Sequence, residues 1–199
     1  MEQPDFCIDA DKGPHRANRK VRKVYVHPRY HKRGPKSYYD VALLRVMRPM
    51  DFSGRYLKPI KLPPRNQWTN DFVGAPVEVS GYGRVEMVKI RGKDQTSCQT
   101  MIGHLEVMSP YSRVCSKGGL LDDPEVQMCA YHRETDACQG DSGGPLVYRE
   151  GNGATLIGVV SYGDLRCGRS DLGSVYTKIT RVIPWILTKI QAGECRRRC

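Results

Sequence analysis

One run of residues decides the fold and the chemistry of this chain: Asp136-Ala137-Cys138-Gln139-Gly140-Asp141-Ser142-Gly143-Gly144-Pro145-Leu146. Glycines beside a serine let the backbone turn sharply, so that N–H groups can face an oxygen that develops negative charge. A serine hydroxyl is a weak nucleophile until a neighbouring base removes its proton. The run therefore predicts a nucleophile at Ser142, and it requires a base and an orienting carboxylate elsewhere in the chain.

The composition favours a β-rich globular protein. A chain of 199 residues is long enough for one sizeable domain or two small ones that share an interface. The 20 Gly and 11 Tyr are scattered along the sequence, which is typical of short strands joined by tight turns. No window approaches the length of apolar sequence that a transmembrane helix needs, so no membrane span is predicted.

Apolar patterning predicts an all-β architecture with one C-terminal helix. The helix is expected from Val182 to Ile190, where apolar residues recur at helical spacing and Pro184 occupies the first turn. A proline-rich stretch from Lys58 to Pro64 is the best candidate for a linker between two β units. Strand-like runs separated by turn residues are found at 21–26, 41–46, 76–80, 103–107, 146–148 and 156–160.

The cysteines indicate an oxidising, extracellular location. Eight cysteines are many for a chain of this size, and their spacing does not fit a zinc site, so we expect disulfides and no bound metal. The chain nevertheless opens at Met1 without a basic and apolar leader. This inconsistency predicts that the sequence lacks the true amino terminus.

The net charge of +11 is concentrated near the two ends of the chain. Basic residues crowd the first third, from Arg16 to Lys36, and a second cluster runs from Arg196 to Arg198. A solvated basic face is the favoured interpretation. The functional alternative is an anionic partner, such as a sulfated glycan or an acidic substrate surface. Nucleic acid is disfavoured, because no basic motif is interleaved with aromatic residues.

Four separate patches, in order along the chain, resemble the trypsin/chymotrypsin family of serine proteases. They are Tyr39 to Leu44, Ser80-Gly81-Tyr82-Gly83, the run around Ser142, and the last strands with Ser161-Tyr162-Gly163 and Val175 to Lys178. The resemblance covers residues from about 20 to 193. It implies a two-barrel fold: a partial N-terminal barrel at 1–65, a complete C-terminal barrel at 66–181 and a helix at 182–193. It also implies protein or peptide substrates and a reaction without a cofactor.

The resemblance assigns catalytic roles to individual positions. Ser142 attacks the scissile carbonyl, and the N–H groups of Gly140 and Ser142 form the oxyanion hole. Asp40 orients the catalytic histidine and stabilises its charged form. Ser161 resembles the family serine that hydrogen-bonds this aspartate.

The primary specificity pocket is implied by a second set of positions. Asp136 lies at its base, where a carboxylate pairs with the side chain of Arg or Lys, and the neighbouring Ala137 favours Arg. Gly163 resembles one wall of the pocket. Ser174 is a departure, because the opposite wall is usually glycine; its hydroxymethyl group narrows the pocket, holds a water, or is absorbed by a one-residue shift involving Gly173.

The family also implies two disulfides, Cys138–Cys167 beside the pocket and Cys115–Cys129 behind it. A third family bridge is absent at both ends, where Val77 and Tyr148 stand in place of its cysteines. The remaining cysteines allow three pairings, among which the sequence does not choose: Cys7, Cys98, Cys195 and Cys199.

The catalytic histidine is missing from the sequence pattern. None of the five histidines lies in the Ala-Ala-His-Cys context of the family base: His15, His27, His31, His104 and His132. The expected base falls upstream of residue 1, as does the family's mature amino terminus, which would pair with Asp141. We therefore expect a fragment that is inactive by itself.

Three functions are compatible with the sequence. The leading hypothesis is a parent endopeptidase that cleaves after Arg or Lys. The alternative is a catalytically dead homologue with a binding or regulatory role, against which the retention of Ser142, Asp40 and Asp136 argues. The third, an anion-binding surface, rests on the basic clusters alone and is compatible with either of the others.

Overall fold

The computed structural model describes residues 17–90, 93–98, 101–133, 135–164 and 171–191, with the backbone alone for 84–90, 93–98 and 101. Two α-helices occur in these ranges, the short α1 (Arg113–Ser116) and the longer α2 (Ile179–Lys189). The remaining elements are mainly strands: β1 (Val21–Val26), β2 (His31–Arg33), β3 (Lys36–Tyr38), β4 (Ala42–Val46), β5 (Pro76–Gly81), β6 (Arg84–Ile90), β7 (Lys93–Cys98), β8 (Met101–Met108), β9 (Gln127–Tyr131), β10 (Pro145–Glu150), β11 (Gly153–Tyr162) and β12 (Ser174–Lys178).

Six strands close into an antiparallel barrel in the order β10-β11-β12-β9-β8-β5. Side chains alternate between the two faces of each strand, so every second residue enters the interior. The barrel core is made of buried apolar residues from all six strands, including Val77, Leu105, Met128, Leu146, Ile157 and Tyr176. A closed barrel has no free edge, so each of the six strands is paired on both sides.

The N-terminal part of the described chain is not closed in this way. Strands β1 and β4 form a two-stranded antiparallel sheet, and β2 and β3 form a short hairpin. Large apolar side chains on this sheet stay exposed, among them Val24 at 54% and Leu44 at 60%. The predicted class, a β fold with a complete second barrel, an incomplete first barrel and a C-terminal helix, is confirmed.

All six predicted strand runs are present, but the sequence missed five strands. The missed elements are β2, β3, β6, β7 and β9. The proline-rich stretch from Lys58 to Pro64 is also more than a linker. The N–H of Leu156 donates to the carbonyl of Lys61 at 2.9 Å, so this stretch is bonded to the start of β11.

Helix α2 begins earlier than the sequence predicted. Its buried residues Ile179, Val182, Ile183 and Ile186 recur at intervals of three and four, which gives one apolar face. The helix starts at Ile179, so Pro184 is its sixth residue and the prediction of a first-turn proline is wrong. Burial of Ile179 and Val182 extends the helix on its N-terminal side, although proline lacks the N–H that would reach the carbonyl of Thr180. None of the helices within the described ranges is long and apolar enough to cross a membrane.

The structure describes cysteines from both of the predicted disulfides. Cys115 and Cys129 are bonded, with their Cα atoms 6.0 Å apart, and they lie in a small core with Leu121 and Val175. Cys138 is also disulfide-bonded, but its predicted partner Cys167 lies outside the described residues, as do the side chains of Cys7, Cys98, Cys195 and Cys199.

The resemblance implies that a family bridge is missing at Val77 and Tyr148. They are directly opposite each other where β5 pairs with β10. Val77 is 3% exposed, and the ring of Tyr148 packs 5.5 Å from that of Phe72. Apolar packing across the strand pair therefore replaces the covalent bond.

The packing of α2 gives a stability prediction. Ile183 is 2% exposed in the core between α2 and the tyrosines at 38 and 39. We expect Ile183→Ala to lower the free energy of unfolding by about 2–5 kcal/mol, because it leaves a cavity. The control is Ile190→Ala, since Ile190 is 45% exposed and the same change there should cost no more than about 0.5 kcal/mol. Urea unfolding followed by circular dichroism measures both; equal losses would contradict the assignment of this face to the core.

Candidate active site

The loop that carries Ser142 is a tight turn built on glycines. Gly140 has a φ of +102° and Gly143 a φ of +83°, values that residues with a Cβ rarely adopt. The N–H of Asp141 donates to the carbonyl of Cys138 at 3.0 Å, and the N–H of Gly144 donates to that of Asp141 at 2.7 Å. These bonds curl the chain around Ser142 and leave its side chain exposed to solvent.

Strand β11 holds this loop in place. The N–H of Gly143 donates to the carbonyl of Val160 at 2.9 Å, and the N–H of Val160 donates to the carbonyl of Gly144 at 3.0 Å. The next residue, Ser161, donates its hydroxyl to Oδ2 of Asp40 at 2.7 Å. Consecutive Cα atoms lie about 3.8 Å apart, so one point on β11 fixes both the loop of Ser142 and the carboxylate of Asp40.

Asp40 lies in a strained turn. The N–H of Val41 donates to the carbonyl of Tyr39 at 2.8 Å, which makes Asp40 the centre of a three-residue turn. Tyr39 has a φ of +51°, an unusual value for an aromatic residue. The hydroxyl of Thr177 donates to the carbonyl of Asp40 at 2.9 Å and holds the turn against β12. Backbone strain retained in this way is common at functional sites.

Asp141 is satisfied by backbone donors. Its Oδ1 accepts the N–H of Gly83 at 2.7 Å, and its Oδ2 accepts the N–H of Cys138 at 2.9 Å. A Cβ added at Gly81 would lie 1.9 Å from Oδ1, so the carboxylate occupies space that only glycine leaves open. The sequence interpretation left Asp141 in need of a partner, whereas the fold supplies two N–H groups.

The two proposed oxyanion donors are free to bind. Within the described part of the chain, the N–H groups of Gly140 and Ser142 donate to no backbone carbonyl or side chain. A Cβ at Gly140 would lie 2.9 Å from the Cα of Gly83, so a larger residue would push this N–H away from the loop. Unpaired N–H groups on one turn next to an exposed serine can stabilise an oxyanion.

Asp136 lies beneath this loop as a buried carboxylate with one free oxygen. Its Oδ1 accepts the hydroxyl of Ser174, and its Oδ2 is buried without a hydrogen-bond partner among the described residues. Burial raises the pKa of Asp136 to about 6, and the hydroxyl of Ser174 opposes this rise. Negative charge from Asp164 and Asp141 adds to the effect. A cation that reached Oδ2 would therefore relieve both an unsatisfied acceptor and an uncompensated charge.

Comparisons with known proteins agree with this geometry. The family model described as Trypsin matches residues 9–186. The chain belongs to the trypsin family of serine proteases. Relatives of this trypsin-family chain include the CLIP domain-containing serine protease B4 of Anopheles gambiae, 31% identical over 95% of this chain and 50% of that protein. Serine protease ea of Drosophila melanogaster is 29% identical over 95% of this chain and 49% of that protein. Transmembrane protease serine 9 of Rattus norvegicus is 36% identical over 88% of this chain and 16% of that protein. The trypsin-family chain thus spans about half the length, or less, of these relatives.

No described histidine serves this trypsin-family site. Within the described residues, no histidine side chain hydrogen-bonds to Asp40 or Ser142. His27 is buried and stacks on Tyr39 at 4.8 Å, and the ring of Trp185 meets its edge. Burial and the nearby Arg29 lower the pKa of His27. His31, His104 and His132 are exposed, and His15 lies outside the described residues.

The structure brings the predicted residues of the trypsin-family site together in two groups. The loop of Gly140 and Ser142 is joined to Asp40 through Val160 and Ser161 of β11, and Ser174 lies next to both Asp136 and Gly163. Sequence reasoning missed the roles of Val160, Thr177 and Tyr176. The hydroxyl of Tyr176 is buried near Asp136, and burial together with that carboxylate raises the pKa of Tyr176. In the sequence, the only signal for a role of Tyr176 was its place beside Val175 in a motif that resembles the family.

The cradle of Asp141 gives a testable prediction. We expect Gly81→Ala to displace the carboxylate, which leaves the N–H groups of Gly83 and Cys138 without their acceptor and costs about 1–3 kcal/mol of stability. Faster amide hydrogen exchange at Gly83 would report the lost bond. Gly54→Ala is the control, because a Cβ at Gly54 meets nothing within 4 Å. Unchanged exchange at Gly83 in the Gly81 variant would contradict the proposed cradle.

The environment of Asp136 predicts its titration. The folded protein holds this proton up to about pH 6, above the ordinary value of 3.8, so the stability that Asp136 contributes is lost as the pH rises through this window. Because Ser174 stabilises the charged form, Ser174→Ala should raise the midpoint further. Carbon-13 NMR of the Asp136 carboxyl measures it, with Ser109→Ala as a distant control. A lower midpoint in the Ser174 variant would contradict the hydrogen bond.

Proposed function

We propose that this chain contributes the catalytic serine, the orienting aspartate and the specificity pocket of a serine endopeptidase that cleaves after Arg or Lys. One observation carries the proposal: Val160 and Ser161, consecutive residues of β11, bond to the loop of Ser142 and to the carboxylate of Asp40. This arrangement supports the proposal, because nucleophilic catalysis requires a nucleophile and an orienting acid close together.

The chemistry follows from these positions. The hydroxyl of Ser142 attacks the scissile carbonyl while a histidine base takes its proton. The N–H groups of Gly140 and Ser142 stabilise the oxyanion of the tetrahedral intermediate. Each such donor typically contributes about 2.7–4 kcal/mol to the transition state. Asp40, fixed by Ser161, would orient the base and stabilise its charged form.

Asp136 supports the basic specificity. Its buried Oδ2 lacks a partner, and Gly163 adds no side chain to the adjoining wall. An Arg or Lys side chain would bring the cation that this carboxylate lacks. The substrates are therefore proteins or peptides with a basic residue before the cleaved bond.

We further propose an extracellular location. The disulfide between Cys115 and Cys129, together with bonded Cys138, supports an oxidising compartment. The exposed basic side chains of the hairpin, such as Lys32 and Arg33, would favour an anionic glycan or an acidic substrate surface as an additional partner.

The 199-residue chain by itself is expected to be inactive. Loss of the base removes nearly all triad catalysis, and binding with the oxyanion hole leaves about 10³–10⁴-fold over water. We predict no hydrolysis of Lys or Arg ester substrates above background, and no labelling of Ser142 by a phosphonate probe. Rapid labelling at neutral pH would show that one of the five histidines acts as the base.

Added imidazole tests the peptidase proposal directly. If Ser142 lacks only its base, imidazole should raise ester hydrolysis by about tenfold or more, since acid–base catalysis supplies a large factor even when the base is imperfectly placed. The increase should disappear in Ser142→Ala and shrink in Asp136→Asn. Equal rates in the parent chain and in Ser142→Ala at every imidazole concentration would contradict the proposal.

A catalytically dead binding homologue is the second candidate. It is favoured by the absence, within the described residues, of a histidine bonded to Asp40 or Ser142. This candidate predicts that cationic ligands bind the pocket but that imidazole does not restore hydrolysis. The two functions are thus separated by the same experiment.

A further inference from the structure

The two oxygens of Asp136 are not equivalent. Oδ1 accepts the hydroxyl of Ser174, and Oδ2 has no partner among the described residues. A ligand that approaches this carboxylate therefore finds one free acceptor and one that is already occupied. With glycine in place of Ser174, no side-chain hydroxyl would occupy Oδ1.

The barrel holds in place the serine that occupies Oδ1 of Asp136. Ser174 is 1% exposed and is the first residue of β12, where it pairs with Ala130 of β9. A residue that is buried and paired with a neighbouring strand has little space in which to rotate its side chain away from Asp136. The hydroxyl thus remains directed at Asp136.

Ser174 also lies close to Gly163, the residue predicted to form the opposite wall. A Cβ added at Gly163 would lie 3.0 Å from the hydroxyl oxygen of Ser174 and 3.5 Å from its Cα. The hydroxymethyl group therefore occupies part of the space between Gly163 and Asp136. A broad head group meets more obstruction there than a compact one.

The two basic side chains make different demands on such a site. Guanidinium is a planar fork whose parallel N–H groups fit both oxygens of a carboxylate. Ammonium is a compact charge with three donors that can be shared among separate acceptors. One donor can reach Oδ2 of Asp136, and another can use a lone pair of the Ser174 hydroxyl oxygen.

We propose that Ser174 is a specificity-determining residue that makes this pocket prefer Lys over Arg. The inference rests on the proposed function, in which Asp136 receives the basic side chain. It reverses the preference for Arg that Ala137 suggested, because the number of available acceptors on Asp136 decides the head group.

Ligand binding tests this preference without a catalytic base. Benzamidine carries a forked amidinium and benzylamine an ammonium on the same aromatic ring, so their ratio of dissociation constants isolates the head group. Titrations of the whole chain by NMR at pH 8 keep Asp136 ionised, since its pKa is about 6. We expect the parent chain to bind benzylamine at least as tightly as benzamidine.

Substitution of Ser174 should reverse the order. In Ser174→Gly the serine hydroxyl no longer occupies Oδ1 of Asp136, and benzamidine should bind about tenfold more tightly, the gain expected from one additional charge-assisted hydrogen bond. Benzylamine should change by less than about twofold, because the released Oδ1 of Asp136 replaces the lost Ser174 hydroxyl as the second acceptor for its compact head group. Ser174→Ala releases Oδ1 of Asp136 but keeps the Cβ, so it should give an intermediate gain. It serves as the test if the glycine variant folds poorly.

The outcomes separate the two proposals. An unchanged ratio in both Ser174 variants, with both ligands bound, would overturn the role of Ser174 and leave the basic pocket intact. If neither ligand binds the parent chain more tightly than Asp136→Asn, the pocket of the proposed function fails, and the role of Ser174 fails with it. A benzamidine gain that persists when Asp136 is also changed to Asn would place the effect elsewhere and overturn the inference.

Discussion

The hydrogen bonds made by two consecutive residues of β11 organise the site. Val160 bonds to Gly143 and Gly144 through its backbone, and Ser161 bonds to Asp40 through its hydroxyl. The strand itself lies between β10 and β12 in a closed barrel, so it cannot shift without breaking both ladders. The loop of Ser142 and the carboxylate of Asp40 are thereby held by one strand of the barrel, as a preorganised site would require.

Two carboxylates in the same loop show how environment separates roles. Asp141 accepts two backbone N–H groups and is fully used by the structure. Asp136, five positions earlier, has a buried oxygen with no hydrogen-bond partner among the described residues, and burial raises its pKa. The two carboxylates differ because both oxygens of Asp141 accept a backbone N–H, whereas Oδ2 of Asp136 has no hydrogen-bond partner among the described residues.

Sequence reasoning succeeded where a pattern was long and apolar. The strands β5 and β8 alternate, β11 contains the apolar run 156–160, and all three were predicted. Hairpin β2–β3 was missed because each strand has only three residues and β2 is charged and exposed, which leaves no alternation to detect. Contacts outside the hairpin hold it in place: Tyr38 donates to Asp122 at 2.7 Å, and Gln127 donates to the carbonyl of Ser37 at 3.0 Å. The start of α2 was missed because its first turn is specified by burial of Ile179 and not by a capping residue.

The sequence by itself determined the family and the pairing of Cys115 with Cys129, and it predicted the roles of Ser142 and Asp40, because each depends on a local motif or on a resemblance carried by one. Only the tertiary structure decided which groups touch. Ser161 lies 121 positions from Asp40 and Ser174 lies 38 positions from Asp136, and no local spacing encodes such contacts. Barrel closure sets these distances, so the use of one Asp136 oxygen by Ser174 could be found only in the folded chain.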